Sequence, residues 1–299
     1  MSSRGVAMTH YDLVIPTIGR ESLQRLLDAL SCSRGPKPHN IVLVNDRRDP
    51  ERSLRLPSSL SEQHLVCIVA TGGRDPAAAR NAGARVGTAE WLVFLDDDVV
   101  PDPDWCERLA HDLQTLPRQV AVSRGWISVP ELPGRKSVDF EHRSFATSDL
   151  AMRRAHFVAL GGFDLRFRRP HREDTELLLR AQAAGLGVTR GTRSATHVAR
   201  PDRFLDSVRA QAGNADDVLL AALYGSRWRR RAGEGHGRPR PDRCGGDHGV
   251  LCCGARRTPA GAGGPRGVGS AVRWSSSPRG GGRGNSRCTK SRGSPAPAC

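Results

Sequence analysis

Long apolar runs are missing from this 299-residue chain, and so is any regular spacing of cysteine. No stretch approaches the roughly 20 apolar residues that a membrane-spanning helix needs. Met1 to His10 carries no apolar core of signal-peptide length, and Met8 is as acceptable a start as Met1. Of the eight cysteines, the first 228 residues hold only Cys32, Cys67 and Cys106, with no pairing-like spacing. That fits a reducing compartment, so a cytoplasmic protein is expected. The other five, Cys244, Cys252, Cys253, Cys288 and Cys299, form no C-x-x-C and fit no standard zinc spacing. Aromatic residues make up only 5% of the chain, and the region after Arg227 has just Trp228 and Trp274. A basic RNA-binding arm interleaves aromatics for base stacking, so this composition argues against one.

What is abundant is positive charge, and its distribution decides its meaning. The formal charge is +15, but Arg229 to Cys299 holds 15 basic residues against the three acids Glu234, Asp242 and Asp247. That segment therefore carries +12, and the first 228 residues only about +3. From Arg227 onward Gly, Arg, Pro and Ser displace apolar periodicity, so residues 227–299 are expected to be a disordered tail or an out-of-frame stretch of a GC-rich gene.

Before that point, short apolar runs alternate with helical patterns. Leu13-Val14-Ile15, Ile41 to Val44, Leu65 to Ala70 and Trp91 to Leu95 read as buried strands. Leu23, Leu26, Leu27 and Leu30 recur at helical spacing, as do Trp105, Leu109, Leu113 and Leu116. Pro76 to Val86 is an Ala-rich helix with Pro at its start and Gly87 at its end. Val120 to about Val129 is strand-like, Phe145 to Ala151 looks extended, and Val188 to Val198 reads as strand or loop. Asp174 to Ala184 and Asp202 to Tyr224, interrupted near Gly213, read as helices. Alternating β and α predicts a parallel sheet covered on both faces, which binds ligands beyond the carboxyl ends of its strands. Thr17, Asp46, Thr71 and Asp96 all fall at those ends.

The triplet Asp96-Asp97-Asp98 closes the most apolar of these strands. Three carboxylates there repel one another and are costly to desolvate. On an extended chain Asp96 and Asp98 share a face. That arrangement suits a hard divalent cation holding a diphosphate. An acidic helix cap is the plain alternative, but Asp102 before Pro103 serves a cap better.

Several runs in order resemble the family 2 glycosyltransferases and their nucleotide-sugar-binding GT-A fold, from about Asp12 to His197. They are Leu13 to Thr17, Val42 to Asp46, Ala78-Ala79-Arg80-Asn81-Ala82-Gly83, and Phe94 to Asp98 with Pro101 and Trp105. Gly161-Gly162-Phe163-Asp164 and Glu173-Asp174 complete the series. The resemblance implies an α/β fold of GT-A type, a mostly parallel central sheet flanked by helices. After a flexible N-terminus (1–9) come a Rossmann-like nucleotide half (10–127), an acceptor-binding and catalytic half (128–226) and the tail (227–299). It further implies an inverting transferase using Mn²⁺ or Mg²⁺, a UDP-, GDP- or dTDP-sugar donor and a hydroxyl acceptor. Asp98 would be the first metal ligand, with Asp96 on the ribose or a metal-bound water, and His197 completing the shell or sitting in a surface turn. Pro16, Thr17, Asp46, Arg80, Asn81, Asp96 and Asp97 would border the donor. Asp46 would accept a base N–H, and Arg80 would lie over the base, pair with Asp46, or be an exposed helix residue. Ser148, Asp149, Gly161, Gly162, Phe163 and Asp164 would face the acceptor or the sugar. Asp174 would be the general base with Glu173 in support, although a first helical turn is acidic for dipole reasons alone.

Departures from the family pattern mark where the resemblance is thinnest. Arg47 and Arg48 follow Asp46, as phosphate or base contacts or as a solvated loop. Arg124 to Arg143 resembles nothing in the family, and acceptor specificity is usually written there. A sugar nucleotidylyltransferase would want a Gly-rich phosphate loop after the first strand, where Pro16 to Arg20 has one Gly. A nucleic-acid-binding protein acting through the tail is the alternative from another class. Peripheral association with the inner membrane face stays open.

Overall fold

Buried strands with both faces covered favour runs of apolar residues, and Leu13, Val14 and Ile15 of the first strand supply one. The computed structural model describes residues 10–49, 54–57, 60, 65–129, 148–198 and 214–233. Strand β1 (Tyr11–Thr17) is followed by α1 (Glu21–Cys32), β2 (Asn40–Asn45), β3 (Leu65–Ala70), α2 (Pro76–Val86) and β4 (Trp91–Leu95). Tyr11, Leu13 and Ile15 pack with Leu23, Leu26 and Leu27 of α1 on one face of the sheet. Val14 packs with Val42, Val44, Ala77 and Ala79 on the other. Period-two alternation thus feeds two cores at once. Helix α2 lies directly on the strands because it is built of small residues. A Cβ on Gly83 would come within 2.4 Å of a Val14 methyl and 2.8 Å of a Val44 methyl.

The second half adds β5 (Val99–Pro101), α3 (Trp105–Thr115), β6 (Val120–Ser128), β7 (Asp149–Arg153), α4 (Arg154–Ala159), α5 (Glu173–Ala183), β8 (Gly187–His197), α6 (Asn214–Tyr224) and α7 (Trp228–Arg231). The strands form one sheet in the order β3-β2-β1-β4-β7-β6-β8-β5. Strands β1 to β4 run parallel, β7 is antiparallel to both β4 and β6, β8 is parallel to β6, and β5 is antiparallel at the edge. Leu95 and Val99 are joined by at most about 14 Å of chain. Four flat strand spacings would separate β4 from β5 by about 19 Å. The sheet must therefore curl, and the Asp96 to Asp98 link is where its far edge returns to the centre.

Several expectations change here. Short β5 and α4 were not anticipated. Asp102 is not the cap of α3, which is flanked by Asp104; Asp102 instead accepts from the Ser194 hydroxyl. Phe145 to Thr147 and Asp202 to Gly213 lie outside the described residues. The packed body also continues past residue 227. Trp228 is buried with Phe167, Leu179 and Leu220, and the Arg172 guanidinium lies 4.9 Å from its ring centroid. One apolar residue in a run of arginines is invisible to periodicity but is enough to dock a single turn of helix. Among the described residues, no helix is long and apolar enough to cross a membrane, and Cys32, Cys67 and Cys106 form no disulfide.

Candidate functional site

The ends of β1, β2 and β4 converge as the parallel topology requires. The expectation that Asp96 and Asp98 share a face of an extended strand does not hold. β4 stops at Leu95, and Asp96 to Val99 form a tight turn in which the Val99 N–H donates to the Asp96 carbonyl at 3.2 Å. A turn fans its side chains apart, so the three carboxylates meet three different environments.

Asp97 faces inward. It accepts from the Thr17 hydroxyl and from the Arg20 guanidinium, both at 2.7 Å, and is 3% exposed. With both oxygens taken by the protein, it braces the turn against β1 instead of contacting a donor. Thr17, whose hydroxyl also accepts from the Gly19 N–H, braces the same loop. Arg20 was not singled out from the sequence; its position three residues past a strand end was the available signal.

Asp98 faces the returning edge of the sheet. Val99 pairs with His197 across β5 and β8, and the Val198 N–H donates to the Asp98 carbonyl at 2.7 Å. His197 Nε2 consequently stands 3.5 Å from Asp98 Oδ1. Burial pushes the imidazole pKa below its ordinary value, which favours the neutral, metal-ligating form. Two ligands of one ion at about 2.1 Å and a right angle stand about 3 Å apart, so carboxylate and imidazole fit a shared divalent cation. The imidazole favours Mn²⁺ over the more strictly oxygen-seeking Mg²⁺. Among the described residues no cluster of three or more such groups is assembled. Further ligands would have to be substrate oxygens and water, as is usual for cations that hold phosphates.

Asp96, the most open of the three, links the two halves. It accepts from Arg80 at 2.6 Å and from the Ser148 hydroxyl at 3.0 Å. Arg80 reaches in the other direction to Glu173 at 2.7 Å. This corrects two readings of Arg80, which neither pairs with Asp46 nor is exposed. It is 2% exposed and forms a buried bridge between carboxylates. Burial works against its charge, but Asp96 and Glu173 more than offset that and hold its pKa above the ordinary arginine value. Glu173 keeps one oxygen buried without a partner. Burial and the adjacent Asp174 outweigh Arg80 and push its pKa up to about 8. Asp174, 6% exposed, opens α5 beside it and accepts from the Thr175 N–H at 2.5 Å.

At the end of β2, Asp46 accepts from the Thr71 hydroxyl at 2.5 Å and the Arg74 N–H at 2.8 Å, and stays partly open. Pro16, one residue before the end of β1, is partly open. Arg47 donates to the carbonyls of Ile18 and Gly19, so it clamps the loop after β1; neither reading of it from sequence anticipated this.

The acceptor-side expectations divide. Asn81 exchanges two 2.8 Å hydrogen bonds with the Phe163 backbone, and Gly162 is forced by φ +76° and by Asn81, whose Oδ1 would stand 2.5 Å from a Cβ. Asn81 and Gly162 therefore shape the loop rather than line a donor or acceptor. Phe163 is a core residue, edge-on to Phe94 at 5.1 Å, and does not face an acceptor. Asp149 is corrected most fully. It is 1% exposed, with one oxygen taken by Trp105 Nε1 at 2.6 Å and the other by Arg193 at 2.7 Å. Arg193, fully buried, also holds Ser123 at 2.8 Å and Asp112 at 3.3 Å. This network ties β6, β7, β8 and α3 behind the site, and no sequence signal pointed to it. Exposed Gly161 and partly open Asp164, which pairs with Arg166, remain accessible, whereas Ser148 is buried and donates to Asp96.

A curled, mostly parallel sheet with acidic side chains gathered at its strand ends defines an α/β nucleotide-sugar-type fold. Residues 12–174 match the family model described as Glycosyl transferase family 2, and the chain belongs to that family. The glucosyl-dolichyl phosphate glucuronosyltransferase of Haloferax volcanii is 30% identical over 149 residues, 43% of this chain and 47% of that protein. The validoxylamine A glucosyltransferase of Streptomyces hygroscopicus subsp. limoneus is 29% identical over 220 residues, 59% of this chain and 49% of that protein. The chain spans about half the length of these curated relatives. Among solved structures, the mannosyltransferase PcManGT from Pyrobaculum calidifontis with GDP-Man and Mn²⁺ superposes at TM-score 0.50 and 18% identity, over 70% of this chain and 64% of that one. GalNAc-T7 with UDP, GalNAc and Mn²⁺ gives 0.50 and 16%, over 66% and 45%. These two likenesses establish the GT-A fold.

Proposed function

We propose that the chain moves a sugar from a nucleoside-diphosphate donor to a hydroxyl acceptor in a single inverting displacement that depends on a divalent cation. The observation that carries this reading is the continuous chain Ser148–Asp96–Arg80–Glu173, which fixes the donor-side turn relative to Asp174. Asp46 accepts an N–H of the nucleotide base, and Asp96 keeps enough open surface to accept from a ribose hydroxyl. Asp98 and His197 would hold Mn²⁺ or Mg²⁺, whose charge would offset that building on the departing diphosphate. The nucleotides and Mn²⁺ named with the two fold neighbours support this choice of donor and ion. Asp174 takes the proton of the attacking hydroxyl. Glu173, protonated up to about pH 8, does not compete for that proton and limits repulsion beside Asp174.

One direct displacement with one base inverts the anomeric carbon. The test is a screen of UDP-, GDP- and dTDP-sugars for Mn²⁺-dependent hydrolysis or thermal stabilisation, followed by product stereochemistry. Full turnover in excess chelator, or a retained configuration, would overturn the proposal.

A further inference from the structure

Beside Asp174 the sheet presents an unusual surface. Val122 and Arg124 follow each other at period two on the face of β6 covered by α5, while Ser123 faces Arg193 on the opposite side. Arg124 pairs with Arg190 in the parallel β6–β8 register, which places both side chains on one face of the sheet, close enough for their charges to interact. Like charges in that position repel unless something stands between them. Arg124 Nε is buried and has no hydrogen-bond partner among the described residues. Burial and Arg190 both push the Arg124 pKa down, and the carboxylate acting on it is Asp174. Beyond a register shift lies Trp126, half exposed, with the Arg190 guanidinium 4.3 Å from its ring centroid and its Nε1 donating to the Gly191 carbonyl at 3.0 Å. Trp126 and Arg190 are thus held in place at the surface, next to a buried donor without an acceptor.

We propose that Arg124 and Arg190, flanked by the open ring of Trp126, form a subsite for a phosphate group carried by the acceptor, orienting the acceptor hydroxyl toward Asp174. Two adjacent guanidinium groups match the oxygens of a phosphate, and the ring offers an apolar face to whatever carries it. The proposal rests on Asp174 marking the acceptor side, but phosphate binding can be read whether or not Asp174 takes a proton.

Inorganic phosphate is titrated, without divalent metal, into the full chain and into Arg190→Gln, Arg124→Gln, Trp126→Ala and Asp98→Ala. Binding is followed by calorimetry and by melting temperature. Arg190 and Trp126 are exposed, so their replacement leaves the fold intact and keeps the test sound if Arg124→Gln misfolds. Phosphate affinity should fall about tenfold in Arg190→Gln and Arg124→Gln. It should be unchanged in Asp98→Ala, which removes only the donor-side ligand. Two further arms identify the carrier: a soluble hexose 1-phosphate, and sedimentation with phosphatidylcholine vesicles containing phosphatidic acid. Tighter binding of the soluble compound assigns a sugar phosphate, and Arg190-dependent sedimentation assigns a lipid phosphate. Equal phosphate affinity in the full chain and Arg190→Gln, binding lost only in Asp98→Ala, or no binding at all would overturn the subsite. Loss of donor turnover with phosphate binding intact would instead count against the transferase mechanism alone.

Discussion

The half of this sheet built from β1 to β4 and the half built from β5 to β8, proposed above as the donor and acceptor halves, are organised by different means. In the donor half, polar residues sit at the ends of parallel strands, and the strands themselves bring Thr17, Asp46 and Asp96 together. In the acceptor half, antiparallel and irregular pairings carry no such convergence. Buried arginines do the assembly there. Arg80 joins α2 to the Asp96 turn and α5, and Arg193 joins α3, β6, β7 and β8. A strand end positions its residue through the backbone ladder, whereas an arginine bridge positions its partners only while both ends are matched.

The comparison breaks most sharply at the carboxylates. Asp98→Ala should lower donor turnover by about 10³-fold or more, because the cation's contribution is several kcal/mol of charge stabilisation. Asp174→Asn should cost about 10² to 10⁴ in turnover while donor affinity stays near normal, since the amide keeps the shape but takes no proton. Steady-state rates with thermal-shift titration of the donor check both. Near-normal turnover in Asp174→Asn would move the search to Asp164, the accessible carboxylate on the neighbouring loop.

A stability test separates the two kinds of scaffold. Arg193→Met leaves the Asp149 and Asp112 carboxylates buried without their positive partner, so it should destabilise the chain by about 3 to 5 kcal/mol. Thr17→Val, which removes a single hydroxyl from a strand-end brace, should cost about 1 to 2 kcal/mol. Urea unfolding of the two variants measures the difference. Equal losses would mean that the acceptor half does not depend on its arginines.

What was legible in the sequence follows the same division. β1 to β4 and α2 were readable because each is built on a continuous apolar or Ala-rich run flanked by polar, Pro or Gly residues. The strand-end carboxylates were readable because each closes such a run. The strand end at Leu95 was legible, but the turn at Asp96 to Val99 was not, since a row of three identical residues does not say whether the chain stays extended. The burial of Arg80 was not legible because the alanines of α2 leave its buried and outward faces alike in sequence. Its partner Glu173 lies 93 residues away. Asp149 and Phe163 were misread because a family motif reports that a residue belongs, not which way it points.

Glu173 gives a prediction in pH. Its folded pKa of about 8 lies above the ordinary carboxylate value, so the folded state holds a proton that the unfolded chain releases. Stability from this group is therefore present below about pH 4.5, falls as pH rises, and levels off above about 8. By pH 7 the loss should be about 3 kcal/mol. Glu173→Gln cannot ionise and should show a flatter dependence of melting temperature on pH between 5 and 8. Parallel pH profiles for the two proteins would show that Arg80 holds Glu173 ionised in the fold.

A last test concerns where the packed body ends. A boundary at residue 227 would leave Trp228 outside the body, yet its ring is 3% exposed against Phe167, Leu179 and Leu220. Phe167 and Leu179 belong to the loop before α5 and to α5 itself, the helix that carries Asp174. Burying a large apolar side chain contributes about 2 kcal/mol. In a body of this size that corresponds to about 4 to 8 °C in melting temperature. A chain ending after Gly233 should therefore melt cooperatively at the full-length temperature. One ending after Ser226 should melt lower by about that amount, and Trp228→Ala in the full chain should reproduce the loss. If both shortened chains melt alike, the α7 turn does not stabilise the acceptor half. If the chain ending after Gly233 is the one that fails, residues 234–299 contribute to the fold and the basic region is more than a tail.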